Sequence, residues 1–300
     1  MEDERSAGCR AAAFRWLSEQ VERGNETLPR NLLAQGFPYL DNFVKLIGPQ
    51  GIFKPAQIEY FPLSITTTTR GPYSDSFDTG GNLLLYSYRG TNPDHHENKR
   101  LRDAMRERIP LIYFYSTVPG QYLPIFPVFV VGDEPGQLRF TVAADDLLHL
   151  RYERDDADDT VRRRYITRTV RQRMHQRTFR DRVLRAYATQ CSVCRLRHGD
   201  LLDAAHITPD SNAEGEPIVS NGLSLCKIHH AAFDRNFFGL RPDYRIVVRP
   251  EIMREEDGPM LKAGLQQIND VKLIVPRRMR ERPDPDRLRA RFESFEESSL

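Results

Sequence analysis

Near the start of the chain, apolar residues recur at helical spacing: Ala12, Trp16 and Gln20 fall on neighbouring turns, and Gly24 with Asn25 supplies a stop. The spacing predicts an amphipathic helix over residues 10–22 whose apolar face is packing surface. Over residues 28–135 the pattern shortens to β-rich runs, at 64–69, 82–88, 110–115 and 125–131, punctuated by Gly, Pro and Asn. Tyr86 and Tyr88 are expected in the sheet core, and His95 and His96, in a polar loop, are expected exposed and without partners. One helix interrupts the strands over about residues 99–108, ended by Pro110, so the first part of the chain reads as a mostly β, α+β unit. No internal repeat is evident. Charge marks the next boundary: Asp155, Asp156, Asp158 and Asp159 suggest a hinge or linker before a long arginine-rich helix over about residues 160–189. The expected plan is a DNA-reading unit over residues 1–150, an acidic linker and basic helix over 151–177, and a third unit over 178–300.

Length agrees with this plan, since 300 residues suit two domains and a linker better than one. The longest apolar runs, such as residues 122–131, are broken by Pro124 and Pro127 and fall short of the roughly 20 residues that span a bilayer. The acidic start, Met1 to Glu4, lacks the basic and apolar stretches of a secretory signal, so a cytoplasmic protein without a membrane partner is expected. Four cysteines are too few for a disulfide scaffold, and three of them cluster while Cys9 lies alone in the first helix. The net charge of +2 conceals a segregation, because residues 160–198 hold twelve arginines against one acid, Asp181. Such density favours a polyanionic partner over a merely solvated helix face, and it makes Arg171, Arg173 and Arg177 candidate contacts to a DNA backbone.

Cys191-Ser-Val-Cys194 is followed 32 residues later by Cys226-Lys-Ile-His229, which gives one C-x-x-C and one C-x-x-H knuckle. Four soft donors at that spacing suit a tetrahedral structural zinc. Between the knuckles, Leu202-Asp-Ala-Ala-His206-Ile-Thr-Pro209 reads as a short strand entering a loop. Ser220-Asn221-Gly-Leu-Ser-Leu225 follows, and His229-His230-Ala-Ala-Phe-Asp234 has helical spacing. Over roughly residues 178–240 the chain resembles the HNH, or ββα-metal, nucleases. That resemblance implies that His206 activates water, that Asn221 braces the loop between two strands, and that His230 binds metal from a helix.

The chemistry agrees with those roles. Phosphodiester hydrolysis needs a neutral histidine as base and a cation to stabilise charge on phosphate and leaving oxygen. His230 and Asp234, four residues apart, project from one helix face towards one ion, and an oxygen ligand there favours Mg²⁺ or Mn²⁺. Many HNH proteins carry Asp or His just before the first His, whereas this chain has Ala205, which leaves His230, Asp234, water and phosphate to hold the ion, with Asp203 as a lesser candidate.

The order of β-rich segments over about residues 51–131, including Gly71-Pro-Tyr73-Ser-Asp75-Ser-Phe77-Asp78, is similar to SRA-like domains. These flip a modified cytosine out of the duplex into an aromatic cage. The resemblance implies a pocket in which Tyr73 and Phe77 stack on the base and Asp75 accepts from its amino group. One buried strand face is the alternative for the same residues. Joined, the halves read as an endonuclease for double-stranded DNA, with 5-modified cytosine as its mark and a homodimer as one route to cutting both strands. Two other readings stay open: an HNH nuclease with a different or unmodified target, and a zinc-dependent DNA-binding protein with an inactive nuclease fold.

Overall fold

The computed structural model describes residues 2–67, 76–77, 83–145, 156–212 and 214–298. The chain divides into two compact units, Met1–Met174 and His175–Leu300. The first opens on α1 (Glu4–Glu22), which starts earlier than its apolar spacing indicates because Asp3 caps it, its carboxylate accepting from the Ser6 N–H at 2.9 Å. The buried face of α1 is Cys9, Ala13, Phe14 and Leu17, whereas Ala12 and Trp16 are only half-buried. Arg10 is also buried, and its guanidinium is fully engaged: Nη1 donates to the Pro62 and Pro110 carbonyls, each at 2.9 Å, and Nη2 meets Glu2 at 2.6 Å.

Short elements follow: β1 (Leu28–Pro29), α2 (Arg30–Gln35), the hairpin β2 (Phe37–Tyr39) and β3 (Asn42–Val44), β4 (Ile52–Phe53), β5 (Ser64–Thr66), β6 (Ser76–Phe77) and β7 (Leu84–Ser87). Then come α3 (His96–Arg106), β8 (Leu111–Val118), β9 (Gln121–Glu134) and β10 (Arg139–Ala144). Among the described residues eight of these strands form one sheet in the order β4-β5-β8-β9-β10-β7-β6, with β1 paired to β9, while β2 and β3 pair by themselves. Only the β5–β8 pairing in it is parallel. Strand β8 is buried on both faces. Its alternation sends Ile112 and Phe114 into the cluster that holds α1, and Leu111 and Tyr113 into the cluster on the other side. Tyr86 and Tyr88 lie in that second cluster, as expected of them. His95 differs from expectation. It caps α3, its Nδ1 accepting from the Glu97 N–H at 3.3 Å, and its ring lies 4.3 Å from that of the exposed His96.

Among the described residues helix α4 runs over Asp156–Ala186, so part of the acidic stretch expected to be a linker is helical. Asp155 lies outside the described residues. Within the first unit, α4 packs Ile166, Val170 and Met174 on the sheet cluster, and Thr167 Oγ1 accepts from the Ala144 N–H at 2.9 Å. Beyond the unit boundary the same helix presents Phe179 and Val183, and Tyr187 just past its end continues this second apolar stripe at four-residue spacing.

The second unit pairs β11 (Leu202–His206) with β12 (Gly222–Cys226) antiparallel, His206 opposite Gly222 and Leu202 opposite Cys226. Helix α5 (Lys227–Asp234) follows directly. Gly222 is required by close packing, since a Cβ there would lie 2.4 Å from Val183 and 2.9 Å from Phe179. The remaining elements, β13 (Phe238–Leu240), β14 (Ile246–Val248), α6 (Pro250–Arg254), α7 (Pro259–Gly264) and α8 (Pro285–Glu297), complete one core around the β11–β12 pair. No helix among the described residues is long and apolar enough to cross a membrane.

Candidate metal centre and nuclease site

The two knuckles meet. Cys191 and Cys194 lie in the turn after α4, which is closed by hydrogen bonds from Cys191 N to Leu196 O and from Arg195 N to Cys191 O. Cys226 ends β12 and caps α5, so His229 comes round one helical turn with its Nδ1 3.1 Å from the Cys226 sulfur and 3.5 Å from that of Cys191. Cys194 completes the set, 3.9 Å from Cys226, and all four donor atoms lie within 4.8 Å of one another. Tetrahedral bonds of 2.0–2.3 Å require donor separations of roughly 3.3–3.8 Å, and the separations of 3.1, 3.5 and 3.9 Å straddle that range, so the set suits a zinc-sized ion. The Cys191 sulfur and burial together push the Cys226 thiol up to about 11, so the protein alone does not favour three thiolates here, and a cation would. His229 Nε2 donates to the Gly264 carbonyl at the end of α7, at 2.8 Å, which leaves Nδ1 bare for the ion.

On the other side of Cys226 along β12, Asn221 is fully buried and ties the loop after β11 to the turn before β12. Its Oδ1 accepts from the Thr208 N–H at 2.8 Å. Its Nδ2 donates to the carbonyls of Thr208 and Glu216, both at 3.0 Å. This is a positioning role, fixing the residues that follow His206.

His206 ends β11 with its ring stacked on Phe179 of α4, centroids 4.0 Å apart and planes 14° from parallel. Its Nε2 is buried and has no hydrogen-bond partner among the described residues. Burial pushes the imidazole below its ordinary value of 6.5, and His230 adds to this while Asp210 and Asp234 oppose it. The ring is therefore neutral at pH 7. His230 stands on α5 between two carboxylates: Nε2 is 3.4 Å from Asp234 and Nδ1 is 3.4 Å from Asp203. Asp203 also accepts from Lys227 Nζ at 2.6 Å and lies 3.7 Å from Arg180. Ala205 has no exposed surface and sits in the hydrophobic core, so nothing at that position can reach an ion.

Thus His206, Asn221, His230 and Asp234 come together around the β11–β12 pair and α5, beside the four-donor cluster. Three contributors escaped the sequence reading. Phe179 was legible in principle, because it shares a four-residue stripe with Val183 and Tyr187 beneath the arginines. The proximity of Asp210 and the Gly264 carbonyl leave no local signal. Arg173 is exposed on α4, Arg171 is half-buried, and Arg177 is half-buried with Asp181 3.4 Å away. Tyr73 and Asp75 lie outside the described residues. Phe77 is described only as a position on β6, opposite Leu84.

No curated protein matches the chain. Among solved structures, it is similar to a "Modification dependent TagI restriction endonuclease", at 16% identity over 78% of this chain and 82% of that one, with a TM-score of 0.28. It is also similar to the "Type IV phosphorothioation-dependent restriction endonuclease ScoMcrA", at 13% identity over 81% of this chain and 59% of that one, with a TM-score of 0.23. Residues 191–241 match the HNH endonuclease family model, and that segment runs from the first cysteine through His206, Asn221, His230 and Asp234. The chain carries an HNH endonuclease domain and is a nuclease.

Proposed function

We propose that this nuclease is a modification-dependent restriction endonuclease, which reads a 5-modified cytosine in duplex DNA through its first unit and hydrolyses a nearby phosphodiester bond through its HNH domain. The observation that carries the nuclease chemistry is the state of His206: neutral, stacked on Phe179, and closed at Nε2. With that nitrogen sealed, His206 takes the proton of the attacking water at Nδ1. His230 Nε2 and Asp234 Oδ2 would hold a divalent cation, Mg²⁺ or Mn²⁺. When bound, such an ion stabilises charge on the scissile phosphate and the leaving oxygen. Asn221 keeps the loop after His206 in place, and Cys191, Cys194, Cys226 and His229 would hold a structural zinc.

Modification dependence rests on the resemblance of residues 51–131 to SRA-like domains, with Tyr73, Asp75 and Phe77 as the proposed base contacts. A flipped base loses stacking and pairing, and aromatic faces with a carboxylate acceptor restore both. The arginines of α4 supply phosphate contacts that do not depend on sequence. One experiment separates the readings: incubation of the protein with plasmids bearing cytosine, 5-methylcytosine or 5-hydroxymethylcytosine, in Mg²⁺ and in Mn²⁺. Cleavage restricted to a modified plasmid is expected. Equal cleavage of all three would remove the modification reading and leave the nuclease, whereas binding without cleavage in either metal would overturn both.

A further inference from the structure

Asp203 approaches His230 from the ring edge opposite Asp234. Its Oδ2 lies 3.4 Å from Nδ1, while Asp234 Oδ2 lies 3.4 Å from Nε2. Of the two contacts only Nδ1 to Asp203 has hydrogen-bond geometry, and because a carboxylate only accepts, Nδ1 carries the proton of that bond. We propose that Asp203 is the positioning residue for His230: by accepting from Nδ1–H it fixes the tautomer whose bare Nε2 sits beside Asp234, where the cation is held. The proposal rests on the reading of His230 and Asp234 as the metal pair.

Three further observations point the same way. Alternation along β11 places Asp203 on the same strand face as Ala205, and the Ala205 methyl is sealed in the core, so Asp203 is the nearest acid on that face of β11. The carboxylate is pinned independently of the histidine, by Lys227 Nζ at 2.6 Å on Oδ2 and by Arg180 Nε at 3.7 Å on Oδ1. Arg180 is itself anchored, since its Nη2 donates to the carbonyls of Gly199 and Leu202 at 2.9 and 2.7 Å. Asp203 is thus held rigidly enough to orient a ring. Its place across the imidazole from Asp234 keeps it from sharing an ion that both Nε2 and Asp234 contact. Ligating histidines commonly have their other nitrogen fixed in this way, and loss of such a partner costs about 10–100-fold in metal affinity.

The test compares Asp203→Ala, Asp203→Asn and Lys227→Met with wild type, without DNA and with zinc retained. Two readouts are taken: Mn²⁺ affinity by electron paramagnetic resonance, and the His230 tautomer by ¹⁵N NMR of the Mn²⁺-free protein, assigned with His230→Gln. Wild type is expected to show the Nδ1–H form. Asp203→Ala should lose that fixed form and bind Mn²⁺ about 10–100-fold more weakly. Asp203→Asn, whose amide oxygen can still accept, should keep more of both, and this variant carries the test if the alanine variant does not fold. Lys227→Met, which breaks the tether and not the contact to His230, should stay within about twofold of wild type. If Asp203→Ala keeps tautomer and affinity, or Lys227→Met reproduces its losses, Asp203 is a structural tether and the proposal fails. Loss of Mn²⁺ from both Asp203 variants with the Nδ1–H form intact would make Asp203 a ligand and overturn it too. Wild type that binds no Mn²⁺ would instead remove the metal pair itself.

Discussion

A histidine that accepts a proton near neutral pH must be uncharged and must keep one nitrogen open. His206 meets the first condition through burial beside Phe179, and with Nε2 closed the proposed mechanism assigns the second to Nδ1. His206→Ala should therefore lower kcat by about 10²-fold or more while leaving DNA affinity within a few-fold, because it removes a base and no zinc donor. Single-turnover cleavage beside a binding titration checks this, and turnover close to wild type would contradict the assignment. The pH profile is a second check. Burial lowers the folded pKa of His206 below 6.5, so the active neutral form persists as pH falls past that value. The acid limb of kcat/KM should have its midpoint below pH 6.5, and a midpoint above it would mean that another group governs the reaction. The same shift has a stability consequence of matching sign. The folded state is favoured in full above the unfolded value, and that part is lost as pH falls through the lower folded one.

At the scale of elements, Cys226 has three tasks: it ends β12, caps α5 and contributes a sulfur to the four-donor cluster. Cys226→Ser should thus destabilise the whole second unit, by an appreciable part of the about 5–15 kcal/mol that holds a domain together, rather than slow a chemical step. Thermal unfolding should fall markedly for the variant, and elemental analysis should find about one zinc per wild-type chain; well-folded, zinc-free wild type would refute the staple. This part of the site was legible because each knuckle's covalent spacing sets its own two donors side by side, and because His230 and Asp234 share a helix face; the meeting of the two knuckles depends on the β11–β12 pairing. Other parts were hidden for physical reasons. The start of α1 depends on a cap, Asp3, that lies ahead of its apolar spacing. His95 looks idle in sequence because its partner is a backbone N–H of the helix it opens. The expected runs at 64–69, 82–88, 110–115 and 125–131 appear as Ser64–Thr66, Leu84–Ser87, Leu111–Val118 and Gln121–Glu134, since pairing partners rather than side-chain pattern set where strands end.

For the molecule as a whole, the arginines of α4 should make DNA affinity fall with salt on every sequence, because neutralised phosphates release counterions regardless of base. Changing Arg171 and Arg173 together to Ala should flatten the slope of log K against log salt by about 1.8 and leave base preference unchanged. An altered preference at constant slope would identify them as readers of sequence. A last consequence follows from the hydrogen bond between His229 Nε2 and the Gly264 carbonyl. The segment that matches the HNH family closes at residue 241, yet His229 of the four-donor cluster within it is hydrogen-bonded to a residue beyond that limit. Ile268, Leu273 and Leu288 fill the same core as Ala205 and Leu225. As a portable cutting head for fusion to another DNA-reading protein, residues 191–241 would be cut too short. A graft ending there should surrender its zinc to a chelator far sooner than one carried through α8, and a competition assay between the two would show the transplantable piece to be the longer one.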